Sequence, residues 1–343
     1  MKTMEIMPVP AKFLFFTDIH FDLGLSKSKF ISDDTTKWLA DQFRIVKDIF
    51  EYANSHGISE IFFGGDFFEQ KNHLDVRLFN SVWSFIRNLT FKYKNINLVL
   101  NVGNHDLATG TRETTILPFS EFCDVVQEPT DYVIDGTLVR VVPFGMLSQE
   151  VLHHFNHSHA YKVIMTHEKI HGLTLSSGII LESSIKASAF SDFDLVLNGD
   201  IHKPQNIYEN IVNVGSPLVL DWSEADDLKR FVHFEDGRIY PLVTRCPRWT
   251  NISYEDLTDD IKGNIAINFQ DYYRIIAKPG TDDPVFNQDN VTVKYVGSEK
   301  KESRLKENGS LDEDIEQYVS IVGEDNGESL IQRGKELAYD IND

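Results

Sequence analysis

The sequence predicts an α/β fold, because apolar runs of strand length alternate with stretches of helical period. Two Asp-Gly turns join paired strands, and acids and imidazoles recur where strands end. Lys12–Thr17 (KFLFFT) is a short continuous apolar run, the pattern of a buried strand. From Asp34 to Tyr52 the residues Trp38, Leu39, Phe43, Val46, Ile49 and Phe50 fall at helical spacing, and Gly57 stops that helix. Ile58–Phe63 reads as a second strand, Val76–Leu89 as a second helix and Leu98–Val102 as a third strand. Such βαβαβ order implies parallel strands packed between helices. Val133-Ile134-Asp135-Gly136-Thr137-Leu138 signals a hairpin turning on Asp-Gly. Further strands are expected at Lys162–Met165, Leu195–Leu197 and Ile211–Val214. A second hairpin, Phe231–Phe234 to Arg238–Leu242, turns on Glu235-Asp236-Gly237.

Beyond about Arg245 the character changes. The expected organisation is a main domain over 1–245, a small α+β capping domain over 246–300, and an acidic helical tail over 301–343. Tyr272–Ala277 and Val291–Val296 are the strand candidates of the small domain, and Gly297 to Ser310 is linker-like. In the tail, Ile315, Tyr318, Val319 and Val322 share a helical stripe, and Leu330, Leu337 and Ile341 suggest a second helix. The 343 residues, 41% hydrophobic and 12% aromatic, suffice for one large core with small appendages.

The net charge of −20 argues against a protein that grips nucleic acid with its whole surface. Part of it is local, since residues 301–343 hold twelve acids against five bases. If nucleic acid is the substrate, a basic partner is expected to supply nonspecific grip. Cys123 and Cys246 stand far apart, which excludes a thiolate metal cluster and gives no disulfide framework. No run approaches the roughly 18 apolar residues of a membrane span. Two prolines interrupt the N-terminal MKTMEIMPVPAKFLFF, so it is not read as a signal peptide, and a cytoplasmic location is expected.

Five segments carry the chemistry: FFT-Asp18-Ile19-His20, FFGG-Asp66, NVG-Asn104-His105-Asp106, VIMT-His167 and VLNG-Asp200-Ile201-His202. In each, an expected strand ends and oxygen or nitrogen ligands follow. Strand C-termini are where α/β folds place their sites, so residues distant in sequence should converge. The donor set of carboxylates, imidazoles and an amide suits Mn²⁺, Mg²⁺, Zn²⁺ or Fe. The glycines before Asp66, Asn104 and Asp200 permit close approach of backbone to a ligand. One motif alone is weak; five in this order are not.

The ordered set resembles the calcineurin-like metallophosphoesterase superfamily over roughly residues 12–245. Within it, the chain most resembles the SbcD-type recombination nuclease subunits, particularly the phage-encoded form. Three features favour that branch: the GDFFE context of Asp66, the NVGSP segment at Asn213–Pro217, and the small domain with its acidic tail. The resemblance implies a metallophosphoesterase β-sandwich flanked by helices. It makes Asp18, His20 and His202 ligands of a first divalent ion, Asn104, His167 and Asp200 ligands of a second, and Asp66 the bridge. Two ions about 3.5–4 Å apart would share the attacking hydroxide. His105 matches the family's catalytic histidine, Asp106 would orient it, and Ser216 is a candidate for contacting the substrate backbone. The implied activity is Mn²⁺-dependent (Mg²⁺ being the alternative) exonuclease and endonuclease cleavage of DNA in recombination, repair or replication. The alternatives are a phosphoesterase for cyclic nucleotides, nucleotides or phosphoproteins, and a non-catalytic scaffold for an SbcC-type ATPase. The implied assembly is a homodimer bound to two SbcC-type coiled-coil ABC ATPase chains.

Two positions depart from the family pattern. Asp200 stands where the closing motif usually has histidine, making a harder site that favours Mn²⁺ or Mg²⁺. Glu69 stands where a second catalytic histidine is common. His167-Glu168-Lys169-Ile170-His171 matches a zinc-protease pattern, but that pattern needs a helix, and here a strand precedes it and Gly172 follows. His153, His154, His157 and His159 are read as a solvated helix face.

Overall fold

Phe13 and Phe15 face one way along strand β1 (Lys12–Phe16) and Leu14 and Phe16 the other, and both faces are buried. That alternation builds the molecule. The computed structural model describes residues 11–25, 28, 30–154, 161–281, 286, 288 and 290–296. The predicted linker and tail, and His157 and His159, lie outside the described residues. The chain divides into two compact units, Met1–Ile275 with Pro284–Val293, and Ile276–Asp283 with Lys294–Asp343. The site lies within the first.

After β1 come helix α1 (Lys37–Ser55), β2 (Glu60–Phe63), α2 (Val76–Lys92), β3 (Asn97–Asn101) and β4 (Asp124–Val126). Helix α1 starts later than the periodicity suggests because Thr36 caps it, its side chain accepting from the Leu39 N–H at 3.1 Å. Asp75 caps α2 in the same way. Then follow β5 (Thr130–Ile134), β6 (Thr137–Val141), the short α3 (Gln149–His153), β7 (Tyr161–Thr166), β8 (Leu195–Asn198), β9 (Gln205–Tyr208) and β10 (Ile211–Asn213). Strands β11 (Arg230–Glu235) and β12 (Arg238–Val243) form the second predicted hairpin. In both hairpins the turn residues, Asp135-Gly136 and Asp236-Gly237, have positive φ, as the tight mirror-image turns require.

The first sheet runs β12-β11-β1-β2-β3-β4 and the second β5-β6-β7-β8-β10-β9. The pairs β1–β2, β2–β3, β6–β7 and β7–β8 are parallel. Between the sheets Phe13, Phe15, Phe62 and Val99 meet Val139, Val163, Met165 and Leu197. A fully buried side chain of this size contributes about 1.5–3 kcal/mol. The outer face of the first sheet carries Leu14, Phe16, Ile61 and Leu100 against Leu39, Val46, Phe50 and Val82 of α1 and α2. The outer face of the second is covered mainly by connecting segments, through Leu152, Ile170, Leu173 and Phe190. The fold is therefore a mixed α/β sandwich with helices concentrated on one side.

Strands β13 (Trp249–Ser253), β14 (Tyr272–Ala277) and β15 (Val291–Tyr295) make a three-stranded sheet, with helix α4 (Asp259–Ile267) between β13 and β14 in sequence. Trp249 and Tyr272 pack on Trp38 of α1. No helix among the described residues is long and apolar enough to cross a membrane.

Candidate metal centre

The loops after β1 and β2 run side by side beyond the strands. Asp18 N–H donates to Gly65 O at 3.0 Å and His20 N–H to Asp66 O at 3.1 Å. Their turns are unusual. Asp18, His20, Asp66 and Asp200 all have positive φ, four of the six non-glycine residues that do so among those described. Such backbone costs on the order of 1–3 kcal/mol per residue and persists only where surroundings hold it.

Those surroundings are polar braces. Gln42 of α1 donates to Ile19 O and His20 O at 2.8 and 2.7 Å. Asn101, at the end of β3, donates to Gly64 O and Val142 O. Asn198, at the end of β8, donates to Glu168 O, Gly199 O and Asn213 Oδ1, while Asn213 donates to Ile201 O and Lys203 O. Asparagines closing three strands thus fix the loops that carry the ligands. The glycines fit as expected. A Cβ on Gly103 would lie 2.3 Å from Asp66 N, and one on Gly199 would lie 2.3 Å from Thr17 Oγ1.

All seven predicted ligands converge. His20 Nε2 and His202 Nε2 face each other at 3.2 Å, with Asp18 in the same group. Asp66 has one oxygen 3.4 Å from His20 Nε2 and the other 3.2 Å from His167 Nε2, so it spans two positions. Asn104 Oδ1 lies 3.1 Å from His167 Nε2, 3.2 Å from Asp200 Oδ1, and 3.1 and 3.2 Å from the oxygens of Asp66. An amide oxygen surrounded by acceptors is satisfied by a cation among them, or by turning the amide so that its NH2 faces them. Asp18 Oδ2 and Asp200 Oδ2 are buried and have no hydrogen-bond partner among the described residues. The donor set therefore fits two divalent ions sharing Asp66.

Each ligand imidazole is also tied at its other nitrogen. His167 Nδ1 is 3.0 Å from Gly64 O, His20 Nδ1 is 2.7 Å from Glu69 Oε2, and His202 Nδ1 is 2.7 Å from Glu224 Oε1. Placing the proton on Nδ1 leaves Nε2 free to ligate, the usual arrangement around metals.

The electrostatics agree. Burial disfavours charge on His20, but its Glu69 hydrogen bond and the Asp66 and Asp18 charges outweigh that and raise it to about 9. At His167 burial is likewise overcome, by Asp66, Asp18 and Asp200, which raise it to about 10. Asp66 is buried yet held below the carboxylate range by His167, His20 and His105. Burial, opposed by His167 but aided by the Asp18 and Asp66 charges, raises Asp200. The cluster draws in positive charge, whether protons or metal ions.

His105 stands beside the centre, its ring edge-to-face with His20 at 4.8 Å and its backbone N–H donating to Asp66 Oδ1 at 2.7 Å. Asp106 does not orient it. No hydrogen bond joins the two side chains among the described residues, and His105 Nδ1 instead meets Glu69 O at 2.7 Å. Asp106 is wholly buried and accepts the backbone N–H groups of Asp66, Phe67 and Gly103 at 2.8–2.9 Å, which ties the second and third motif loops together. Burial and the Asp66 charge raise it to about 6. Ser216 is corrected as well. It is fully buried, donates to Leu218 O at 2.9 Å and accepts from Lys229 Nζ at 2.9 Å, so it faces the interior and not a substrate. Glu69 gains a role, holding His20 by its side chain and His105 by its carbonyl. The residues that sequence reasoning missed are Glu224 and Lys229, whose ion pair at 2.8 Å is buried. No spacing rule marks them, although a Lys fully shielded from solvent is rare enough to signal a partner. Segment 167–171 forms no helix, which disposes of the protease pattern. His153 ends α3 and meets Asp192 at 2.9 Å, away from the ligands.

Two ions in such a centre supply Lewis acidity and an activated water. With His105 Nδ1 held by Glu69 O, Nε2 is the ring nitrogen that would be available for proton transfer.

No curated protein matches the sequence. Among solved structures, the chain is similar to a dimetal phosphatase from Danio rerio at 9% identity and TM-score 0.42, covering 69% of this chain and 99% of that one. It is also similar to the Pseudomonas putida nuclease MPE at 16% identity and TM-score 0.29, covering 67% of this chain and 87% of that one. The calcineurin-like phosphoesterase family matches over residues 11–204, a span that runs from β1 past His202 and holds every ligand described above. On that match the chain is a member of the calcineurin-like phosphoesterases, metal-dependent hydrolases of phosphoester bonds.

Proposed function

We propose that this phosphoesterase is the nuclease subunit of a DNA-processing machine, cleaving phosphodiester bonds in the cytoplasm with two Mn²⁺ ions. The observation that carries the chemistry is the pair of ligand groups sharing Asp66, with His105 beside them. Resemblance of GDFFE and NVGSP to the SbcD-type subunits supports DNA as the substrate and a role in recombination, repair or replication. The same resemblance supports a homodimer bound to an SbcC-type coiled-coil ATPase, which would supply the cationic DNA grip that a chain of charge −20 lacks. Beside Asp200 and His202 a cleft of about 230 Å³ is lined by Lys203, Ser177 and Ser223, donors suited to phosphate oxygens. The acidic surface favours a second reading, a phosphoesterase for small substrates such as nucleotides or cyclic nucleotides.

Incubation with Mn²⁺ and either labelled duplex DNA or a chromogenic phosphodiester, with and without the ATPase, separates the two. DNA cleavage that rises with the ATPase is expected. Turnover of the small ester with no DNA cleavage in either condition would establish the second reading instead.

A further inference from the structure

His202 is the most exposed of the three ligand imidazoles, its side chain 29% accessible against 3% for His20 and 0% for His167. It therefore has the least packing to hold it. What it has instead is a buried polar chain: Nδ1 to Glu224 Oε1 at 2.7 Å, then Glu224 Oε2 to Lys229 Nζ at 2.8 Å. Lys229 Nζ also donates to His202 O at 3.1 Å and to Ser216 Oγ at 2.9 Å, and Leu220 N–H donates to Glu224 Oε2 at 3.0 Å. One ammonium thus grips both the backbone of residue 202 and the carboxylate that holds its ring. Lys229 and the Glu224 carboxylate are 0% and 6% accessible, a desolvated pair that is costly unless fully hydrogen-bonded.

We propose that Glu224, itself anchored by Lys229, is a positioning residue for the first metal site: through the Nδ1 hydrogen bond it locks the ring of His202 with Nε2 facing His20 Nε2. The inference rests on the two-metal reading of the centre. Hydrogen-bond partners of ligand histidines typically contribute about 10–100-fold to metal affinity. A Glu69 contact serves His20 likewise, but His20 is enclosed and Glu69 itself is 43% accessible, so the larger dependence falls on Glu224.

The test compares two variants in which both members of the pair are uncharged, so that neither Glu224 nor Lys229 is left as a lone buried charge and the loss of Lys229 beside Asp227 is common to both. Glu224→Leu with Lys229→Met removes the Nδ1 acceptor; Glu224→Gln with Lys229→Met retains one. Mn²⁺ binding to each purified full-length protein is measured by titration calorimetry, and metal-free melting temperatures are recorded alongside. The Leu pair is expected to bind one of the two ions at least about tenfold more weakly and the other unchanged. The Gln pair should recover most of that loss at a similar melting temperature. Wild-type affinity at both sites in the Leu pair overturns the inference, and so does equal loss in both pairs, which would make packing the cause. If the wild-type chain itself binds fewer than two Mn²⁺, the two-metal reading fails instead, a result readily told apart.

Discussion

Replacing Gly199 by alanine adds one methyl group at the point where three ligand loops touch. Its Cβ would lie 2.3 Å from Thr17 Oγ1, 2.7 Å from His167 Nδ1 and 3.1 Å from Asp18 Oδ2. All three neighbours are fully buried, so none can swing into solvent. Ordinary contact begins at 3.4 Å, so the His167 ring must move about 0.7 Å and the Thr17 hydroxyl about 1.1 Å. The first shift stretches the 3.0 Å hydrogen bond from His167 Nδ1 to Gly64 O that aims Nε2. Overpacking of this kind costs about 1–3 kcal/mol, and a misplacement near 1 Å at a reacting centre costs about 10²-fold in rate. Gly199→Ala should therefore melt several degrees lower, bind the second Mn²⁺ at least about tenfold more weakly, and turn over a phosphodiester about 10²-fold more slowly. Gly263→Ala is the control. It sits in α4 with nothing within 4 Å of the new Cβ, so stability should hold or rise by about 0.5–1 kcal/mol. The assays are calorimetric Mn²⁺ titration, thermal melting and hydrolysis of a chromogenic phosphodiester. Two ions bound at wild-type affinity with wild-type turnover in Gly199→Ala would refute the argument that these loops are packed to contact.

Asp106→Asn should destabilise the fold and lower metal content, because an amide presents only one acceptor atom to the four backbone donors that Asp106 satisfies. Losing hydrogen bonds to a charged group costs about 1.5–3 kcal/mol each; a variant deficient only in turnover, with normal melting, would return Asp106 to a direct catalytic role. His105→Ala should keep both ions and lose about 10²–10⁴-fold in turnover, checked by metal analysis beside kinetics; lost metal would make it a ligand. Mn²⁺ binding should release protons at pH 7.5, since His20 and His167 stand at about 9 and 10 without metal and must be neutral to ligate. Calorimetry in buffers of different ionisation enthalpy reads this release, and none would contradict the raised values. The sign for the metal-free fold follows: these raised histidines stabilise it fully below 6.5, and that contribution fades as pH climbs through 9 to 10.

The sequence disclosed the ligands because each follows an apolar strand, and a strand end is visible as a change of residue type. Asp18, Asp66, Asn104, His167 and Asp200 all sit where β1, β2, β3, β7 and β8 finish. The period-two burial of those strands was not visible, since a strand apolar on both faces has no alternation to read; only the structure sorts Phe13 and Phe15 from Leu14 and Phe16. Short β4 and β9 and the Asp34-to-Thr36 shift in the start of α1 escaped for related reasons, three or four residues carrying too little pattern. The roles of Asp106 and Ser216 were misread from linear neighbourhood. Asp106 adjoins His105 in the chain, yet its carboxylate serves backbone donors from two loops, and Ser216 turns inward to Lys229. Partnerships such as Glu224 with His202, 22 residues apart, are fixed by the fold around the first metal site and leave no periodic trace.

Asp200 is where the electrostatics of the centre bear on its dependence on metal. Three carboxylates, Asp18, Asp66 and Asp200, line a buried centre inside a chain of net charge −20. Lys229, whose ammonium donates to His202 O, is committed to Glu224 and shut away from solvent. Within the ligand cluster itself the side chains are then mainly acids and imidazoles, and a cation beside it, Lys203, lines the adjoining cleft. The carboxylates raise His20 and His167 and so favour positive charge there. Two divalent ions would supply more charge, leaving a net excess of about one positive charge over the three carboxylates, against about two if residue 200 were imidazole. Ions held by Asp18, Asp66 and Asp200 would thus supply both an activated water and a reversal of the local field, so substrate affinity as well as turnover should fall when the ions are removed. Binding of a non-hydrolysable phosphodiester that persists unchanged in the presence of chelator would show that the protein holds phosphate by groups other than this centre.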